Sequence, residues 1–220
     1  MGKKYSTIIV IYIFVFLYIK ICKTYKLYEV LSKEDVLKIT DEYYINFYCK
    51  NDTCVAVDKI FNNPFVEIPD KKGNIITYIT YTCTYDNIKS GKCPKEICGY
   101  GSCTSIKCTT DSQCLSNKCI DNFCVFNKET PIVHCDNIYT PSTLFSRRSS
   151  YMYCGKPCNE PCETDDECSS RKCCEDKTCN SQTQGPSDSE GTSFILGMYF
   201  ITFIFIVSLI LCFCWCFKQK

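Results

Sequence analysis

Cys108-Thr-Thr-Asp-Ser-Gln-Cys114-Leu-Ser-Asn-Lys-Cys119 and Cys162-Glu-Thr-Asp-Asp-Glu-Cys168-Ser-Ser-Arg-Lys-Cys173 share one pattern, Cys-x-Thr-Asp-x-x-Cys-x-Ser-x-Lys-Cys. Seven of the twelve positions coincide: three cysteines, Thr110 with Thr164, Asp111 with Asp165, Ser116 with Ser170, and Lys118 with Lys172. Each copy closes on a further cysteine, Cys124 or Cys179, and the second carries Cys174 in addition. Closely spaced cysteines precede each copy: Cys93, Cys98 and Cys103 before the first, Cys154 and Cys158 before the second. Cysteines repeated in step predict two related cross-linked modules, over residues 91–135 and 154–180.

Farther out, eighteen of the 22 cysteines lie between two apolar segments. They are Cys49, Cys54, Cys83, Cys93, Cys98, Cys103, Cys108, Cys114, Cys119, Cys124, Cys135, Cys154, Cys158, Cys162, Cys168, Cys173, Cys174 and Cys179. An even number of thiols carried past a membrane predicts a disulfide framework. The stretch 93–179 holds few large aliphatic residues. It buries too little apolar area to offset its chain entropy, so cross-links must contribute, at about 2–4 kcal/mol each.

The two ends set the expected topology. Met1-Gly2-Lys3-Lys4 is basic, Ile8 to Leu17 is almost continuously apolar, and Lys20 closes the run. About 14 apolar residues suit a signal peptide, placed at 1–24, better than a span that needs about 20. An uncleaved signal anchor is the alternative. Gly2 with Ser6 also fits a myristoylation pattern, which a secretory signal overrides. Residues 194–217 form 24 positions without a charge. As a helix they would reach about 36 Å, enough to cross a bilayer with some tilt. Trp215 suits the interface, and Lys218 and Lys220 suit a cytoplasmic tail, 218–220, too short for a signalling domain. A GPI signal with small residues at 187–189 or 191–193 is the rival reading. Cys212, Cys214 and Cys216 are palmitoylation candidates, or apolar filler in lipid. The expected localisation is a single-pass type I membrane protein of the plasma membrane or secretory pathway, its ectodomain extracytoplasmic.

Between the ends, residues 25–90 read as a small β-rich region. Ser32-Lys33-Glu34-Asp35 resembles a capping box ahead of a short helix to about Ile39. Strands are predicted over 43–49, 54–57 and 65–68, with turns at 50–53 and 69–74. Cys49 and Cys54 flank the first turn and are placed to pair across it. A longer strand is predicted over 76–85, with Thr77, Ile79, Tyr81, Cys83 and Tyr85 facing inward. Residues 136–153 read as a linker between the modules. Arg147-Arg148 within it is a candidate processing site, or an ordinary basic loop. If it were cut, a disulfide across the site would hold the halves. Residues 181–193 are polar and aperiodic, the composition of a flexible stalk.

The run Thr110-Asp-Ser-Gln-Cys114, with Asn117-Lys-Cys119 and Asn122-Phe-Cys124, resembles the short cysteine-rich modules of secreted and membrane proteins in lower eukaryotes, particularly fungi. It is also loosely similar to EB and Dickkopf-type modules. The likeness covers about a third of the chain, and the upstream cysteines depart from the stricter EB pattern. It implies disulfide-linked loops with short hairpins that mediate binding rather than catalysis.

Candidate chemistry is sparse. His134 is the single histidine, and no nucleophile motif surrounds it, so a solvated loop side chain is expected. Cys154, Cys158, Cys162, Cys173 and Cys174 have spacings that zinc uses in a reducing compartment, but disulfides are preferred behind a signal sequence. Glu163, Asp165, Asp166 and Glu167 lack the glycine of a calcium loop and read as a solvated acidic face. No metal, cofactor or catalytic residue is expected. Asn51-Asp52-Thr53 is a glycosylation sequon in a turn. Net charge is +1, which disfavours nucleic acid as a partner.

The expected fold class is small and disulfide-rich: short antiparallel β-hairpins in the ectodomain and one C-terminal transmembrane helix. The expected function is surface display of the modules to an extracellular protein or glycan. A glycosylated protective coat without a specific ligand is the alternative. An exported thiol oxidoreductase ranks last, because no isolated Cys-x-x-Cys stands beside a helical pattern.

Overall fold

The computed structural model describes residues 29–58, 64–99, 102–143, 146–182, 185–187, 195–208 and 210. The signal segment 1–24, the tail 218–220, and Cys212, Cys214 and Cys216 lie outside the described residues.

The chain begins with strand β1 (Val30–Ser32) and helix α1 (Lys33–Leu37). Ser32 caps the helix by accepting from the Asp35 amide at 3.1 Å. Strands β2 (Ile45–Lys50) and β3 (Thr53–Asp58) form a hairpin with Lys50 opposite Thr53. Its two loop residues, Asn51 (φ 49°) and Asp52 (φ 69°), both take the left-handed conformation that matches the twist of a two-residue turn. Strands β4 (Phe65–Pro69) and β5 (Ile75–Ile79) form a second hairpin. Helix α2 (Tyr85–Lys89) follows, capped by Thr84. Two short hairpins come next: β6 (Glu96–Gly99) with β7 (Ser102–Ser105), and β8 (Cys119–Ile120) with β9 (Phe123–Cys124). Long strands β10 (Val133–Thr140) and β11 (Ser149–Gly155) complete the set.

These strands assemble into a five-stranded sheet in the order β1-β3-β2-β10-β11, antiparallel throughout. Both its faces are covered. Val36 and Ile39 pack on one face against Phe47, Ala56, Met152 and the Cys49, Cys54 and Cys135 sulfurs. The β4–β5 hairpin packs on the other, where Val66, Ile68 and Tyr78 meet Val55, Leu115 and Ile132. Alternation along β2 explains this: Phe47 and Cys49 point to the first core, Tyr48 to the second.

Several expectations are corrected. Residues 136–153 are not a linker; they supply most of β10 and β11, and β10 bonds to β2, so the sheet closes across the module boundary. The strand predicted over 76–85 stops at Ile79, because Thr84 caps α2 and draws the chain into a helical turn. Thr77 of that strand is exposed, while Tyr78, Ile79 and Thr80 are buried. The start of the segment read as a stalk lies against the body: Gln182 is buried, and the Pro186 carbonyl accepts from the Tyr44 hydroxyl at 2.6 Å.

Residues 195–208 are helical. Among the described residues no helix is long and apolar enough to cross a membrane. The large apolar side chains of this helix are exposed on every side, Tyr199 at 70 %, Phe200 at 67 % and Phe203 at 64 % among them.

Candidate functional site: two cystine modules and their buried junction

Eight disulfides hold the described residues together: Cys49–Cys54, Cys83–Cys93, Cys98–Cys103, Cys108–Cys119, Cys114–Cys124, Cys135–Cys154, Cys162–Cys173 and Cys168–Cys179. The hairpin bond Cys49–Cys54 is as expected from its turn. Cys158 and Cys174, counted with the others as disulfide candidates, carry free thiols. Cys93 joins Cys83 of the preceding region, and Cys135 of β10 joins its cross-strand partner Cys154 of β11, so cross-links also span the expected region boundaries.

The two segments that share a sequence pattern also share their geometry. In each, the first cysteine bonds the third and the second bonds the closing one, Cys124 or Cys179. A single 3-10 turn follows Thr110 or Thr164, at Asp111–Gln113 and Asp165–Glu167. The aspartate carboxylate then reaches forward: Asp111 accepts from the Cys119 amide and Asp165 from the Cys173 amide, each at 2.7 Å. Asn117 and Arg171 take matching left-handed conformations, φ 57° and 55°. Each segment hangs from the end of a longer strand. The Leu115 amide donates to the Ile79 carbonyl, and the Ser169 amide to the Lys156 carbonyl, both at 2.9 Å. The shared Thr, Asp and Lys-Cys positions thus mark a turn, its clamp and its cross-link.

The second segment docks closely on the sheet. A Cβ on Gly155 would lie 2.6 Å from the Glu167 carbonyl oxygen and 2.7 Å from the Cys168 carbonyl carbon, so only glycine fits at the end of β11. Lys156 pairs with Glu167 and donates to the Pro161 carbonyl at 2.9 Å. Its ammonium also stands 5.4 Å from the Phe126 ring centre of the first segment.

Beneath this contact lies a buried polar cluster. His134 is not in a solvated loop; it sits in β10 at 8 % exposure, packed on the Tyr48 ring at 4.5 Å between centres. Its position beside Tyr48 follows from the β2–β10 register, which sets the two residues opposite one another. Its Nδ1 lies 3.0 Å from the Ser169 hydroxyl and 3.2 Å from the Asp136 carboxylate. Ser169 donates to Asp136 at 2.7 Å. These three residue types suggest a hydrolytic triad, but the geometry is not one. Serine and aspartate share the same ring nitrogen, the serine proton goes to the carboxylate, and Ser169 is 1 % exposed. Burial pushes the Tyr48 phenol up to about 12, with the Asp136, Cys158 and Glu160 charges adding to the rise. Burial also raises the Cys158 thiol, and the nearby charges of Asp136 and Cys174 raise it further.

Glu160 completes the cluster. It is 1 % exposed, accepts from the Thr82 hydroxyl, and has no partner for its second oxygen among the described residues. The spacing of residues in the chain did not signal it; only the fold brings residue 160 against residue 82.

Other expected positions are placed as follows. Asn51 is exposed in its turn. Arg147 and Arg148 are exposed, and the Cys135–Cys154 bond spans them. Glu163, Asp165 and Asp166 are exposed, and the Asp165 carboxylate also accepts from the Cys173 amide. The sulfurs of Cys108, Cys114 and Cys124, and of Cys162, Cys168 and Cys173, lie within 4.8 Å of one another. All are bonded in cystines, so this crowding is two interlocked cross-links rather than a set of thiolates.

In comparisons with known proteins, the chain matches no family model, no curated protein and no solved structure.

Proposed function

We propose that this chain is a single-pass surface protein that displays two copies of one cystine-stabilised module to bind an extracellular protein or glycan. The observation that carries the reading is a constant frame with different outward faces. Both modules have the same cross-links, turn and aspartate clamp. Yet the exposed turn of the first reads Thr109-Thr110-Asp111-Ser112-Gln113, and that of the second reads Glu163-Thr164-Asp165-Asp166-Glu167. A frame that keeps its geometry while its rim changes from mostly neutral to acidic suits recognition, where a rigid loop loses little entropy on binding.

The membrane anchor rests on the helix at 195–208. Its apolar side chains are exposed all round, and residues 194–217 carry no charge. A helix that is apolar on every side calls for a surrounding apolar medium. A cleaved signal, a sugar on Asn51, and extracytoplasmic oxidation of the cysteines complete the proposal.

The test is binding of the full chain, held in lipid nanodiscs, to panels of cell-wall polysaccharides and secreted proteins. A saturable ligand whose affinity drops on charge reversal at Asp166 and Glu163 supports the reading. No saturable ligand in either panel, together with loss of surface robustness on deletion, favours the coat reading instead.

A further inference from the structure

We propose that Glu160 is a pH latch between the second cystine module and the rest of the ectodomain: its carboxyl is held neutral in the closed junction, and its ionisation loosens the docking. The argument starts from position. Glu160 belongs to the second module, between Cys158 and Cys162, while the one hydrogen-bond partner of its side chain among the described residues, Thr82, belongs to the segment after β5. The bond therefore crosses the junction. The side chain is almost fully buried, and one carboxyl oxygen has no partner among the described residues. A neutral carboxyl tolerates such a site far better than an anion, which would need pairing.

No cation compensates fully. Lys156 is near enough to favour the anion, but its ammonium is already held by Glu167 and the Pro161 carbonyl. The other titratable groups around the junction are Tyr48 from β2, His134 and Asp136 from β10, and Cys158 from the module's own segment. Tyr48 and Cys158 both stay neutral through the acid range. Burial outweighs the Thr82 bond and the Lys156 charge and raises the Glu160 carboxyl from 4.5 to about 7.

The sign follows from linkage. A carboxyl raised in the folded state holds its proton longer when the junction is closed than when it is open. Closure is thus fully favoured below pH 4.5 and weakens as pH rises to about 7, then stays level. Within that window one proton changes the opening constant by up to about tenfold per pH unit. The module is held tight in an acidic compartment and released toward neutral pH.

Hydrogen exchange on the full chain in detergent tests this. The amides to follow are Lys156, Ser169 and Cys179, which bond to the Glu167, Lys156 and Glu160 carbonyls. After correction for intrinsic exchange, their protection in the native protein should fall from pH 4.5 to 7, and Glu160→Gln should remove most of that slope. Equal slopes in the two proteins would overturn the latch. Should Glu160→Gln not fold, the Glu160 carboxyl carbon shift in the native chain decides. A midpoint near neutral, moved upward by Thr82→Val, supports the proposal; an ordinary glutamate midpoint sinks it.

Discussion

Asp111 and Asp165 illustrate how one side chain can organise a module that has almost no apolar core. Each carboxylate reaches over its turn to the amide of the cysteine eight residues ahead. That holds the third cysteine where the first can bond it. A charge-assisted bond of this kind contributes about 1–2 kcal/mol at a partly exposed site. Asp165→Ala should therefore lower the unfolding free energy by that amount and shift the denaturant midpoint down accordingly, and Asp111→Ala should do the same. Urea unfolding followed by far-UV dichroism checks both, and an unchanged midpoint in either would contradict the clamp. These two aspartates were legible in the sequence as repeated positions. His134 and Glu160 were not, because burial depends on contacts with strands far away in the chain. His134 reads locally as a loop residue beside Cys135, but β10 pairs with β2 and carries it under the second module.

At the level of elements, the first hairpin was readable because its chemistry is local. Asn51 and Asp52 accept the left-handed turn, and Cys49 and Cys54 stand opposite each other as soon as the turn forms. The β10–β11 hairpin was hidden for the opposite reason. Its apolar residues are few, and its stability comes from edge pairing with β2 and from the Cys135–Cys154 bond rather than from a visible alternation. Phe47 is the element-scale keystone. It is fully buried in β2, beneath α1 and opposite Cys135 and Ala56 in the neighbouring strands. Phe47→Ala should cost about 3–5 kcal/mol, whereas Ile75→Ala, at a 63 % exposed site in β5, should cost little. Thermal unfolding of both variants tests the contrast. Gly155→Ala should separate the second module from β11, since a methyl there meets the backbone of residues 167–169. Faster proteolysis within residues 156–180, with the sheet left intact, is the expected signature.

Across the whole molecule, stability is divided unevenly. The sheet has two apolar cores, but the cluster inside the second module consists only of Cys162, Cys168, Cys179 and the adjoining Cys173. Its two cross-links each close a loop of about eleven residues, worth about 3 kcal/mol by chain entropy. Graded reduction should thus disorder residues 162–179 while the Phe47 core persists, a sequence of events that amide exchange resolves. The repeated cysteine spacing made this architecture partly legible, whereas the pairings outside the repeat, Cys83–Cys93 and Cys135–Cys154, required the fold. Both links cross boundaries drawn from composition. The most direct measurement is peptide mapping of native protein, alkylated before digestion and never reduced. The account predicts the eight pairs described above, with label on Cys158 and Cys174 alone among the cysteines from Cys49 to Cys179. Widespread labelling of the other sixteen, or exchanged partners within 108–124 and 162–179, would contradict it.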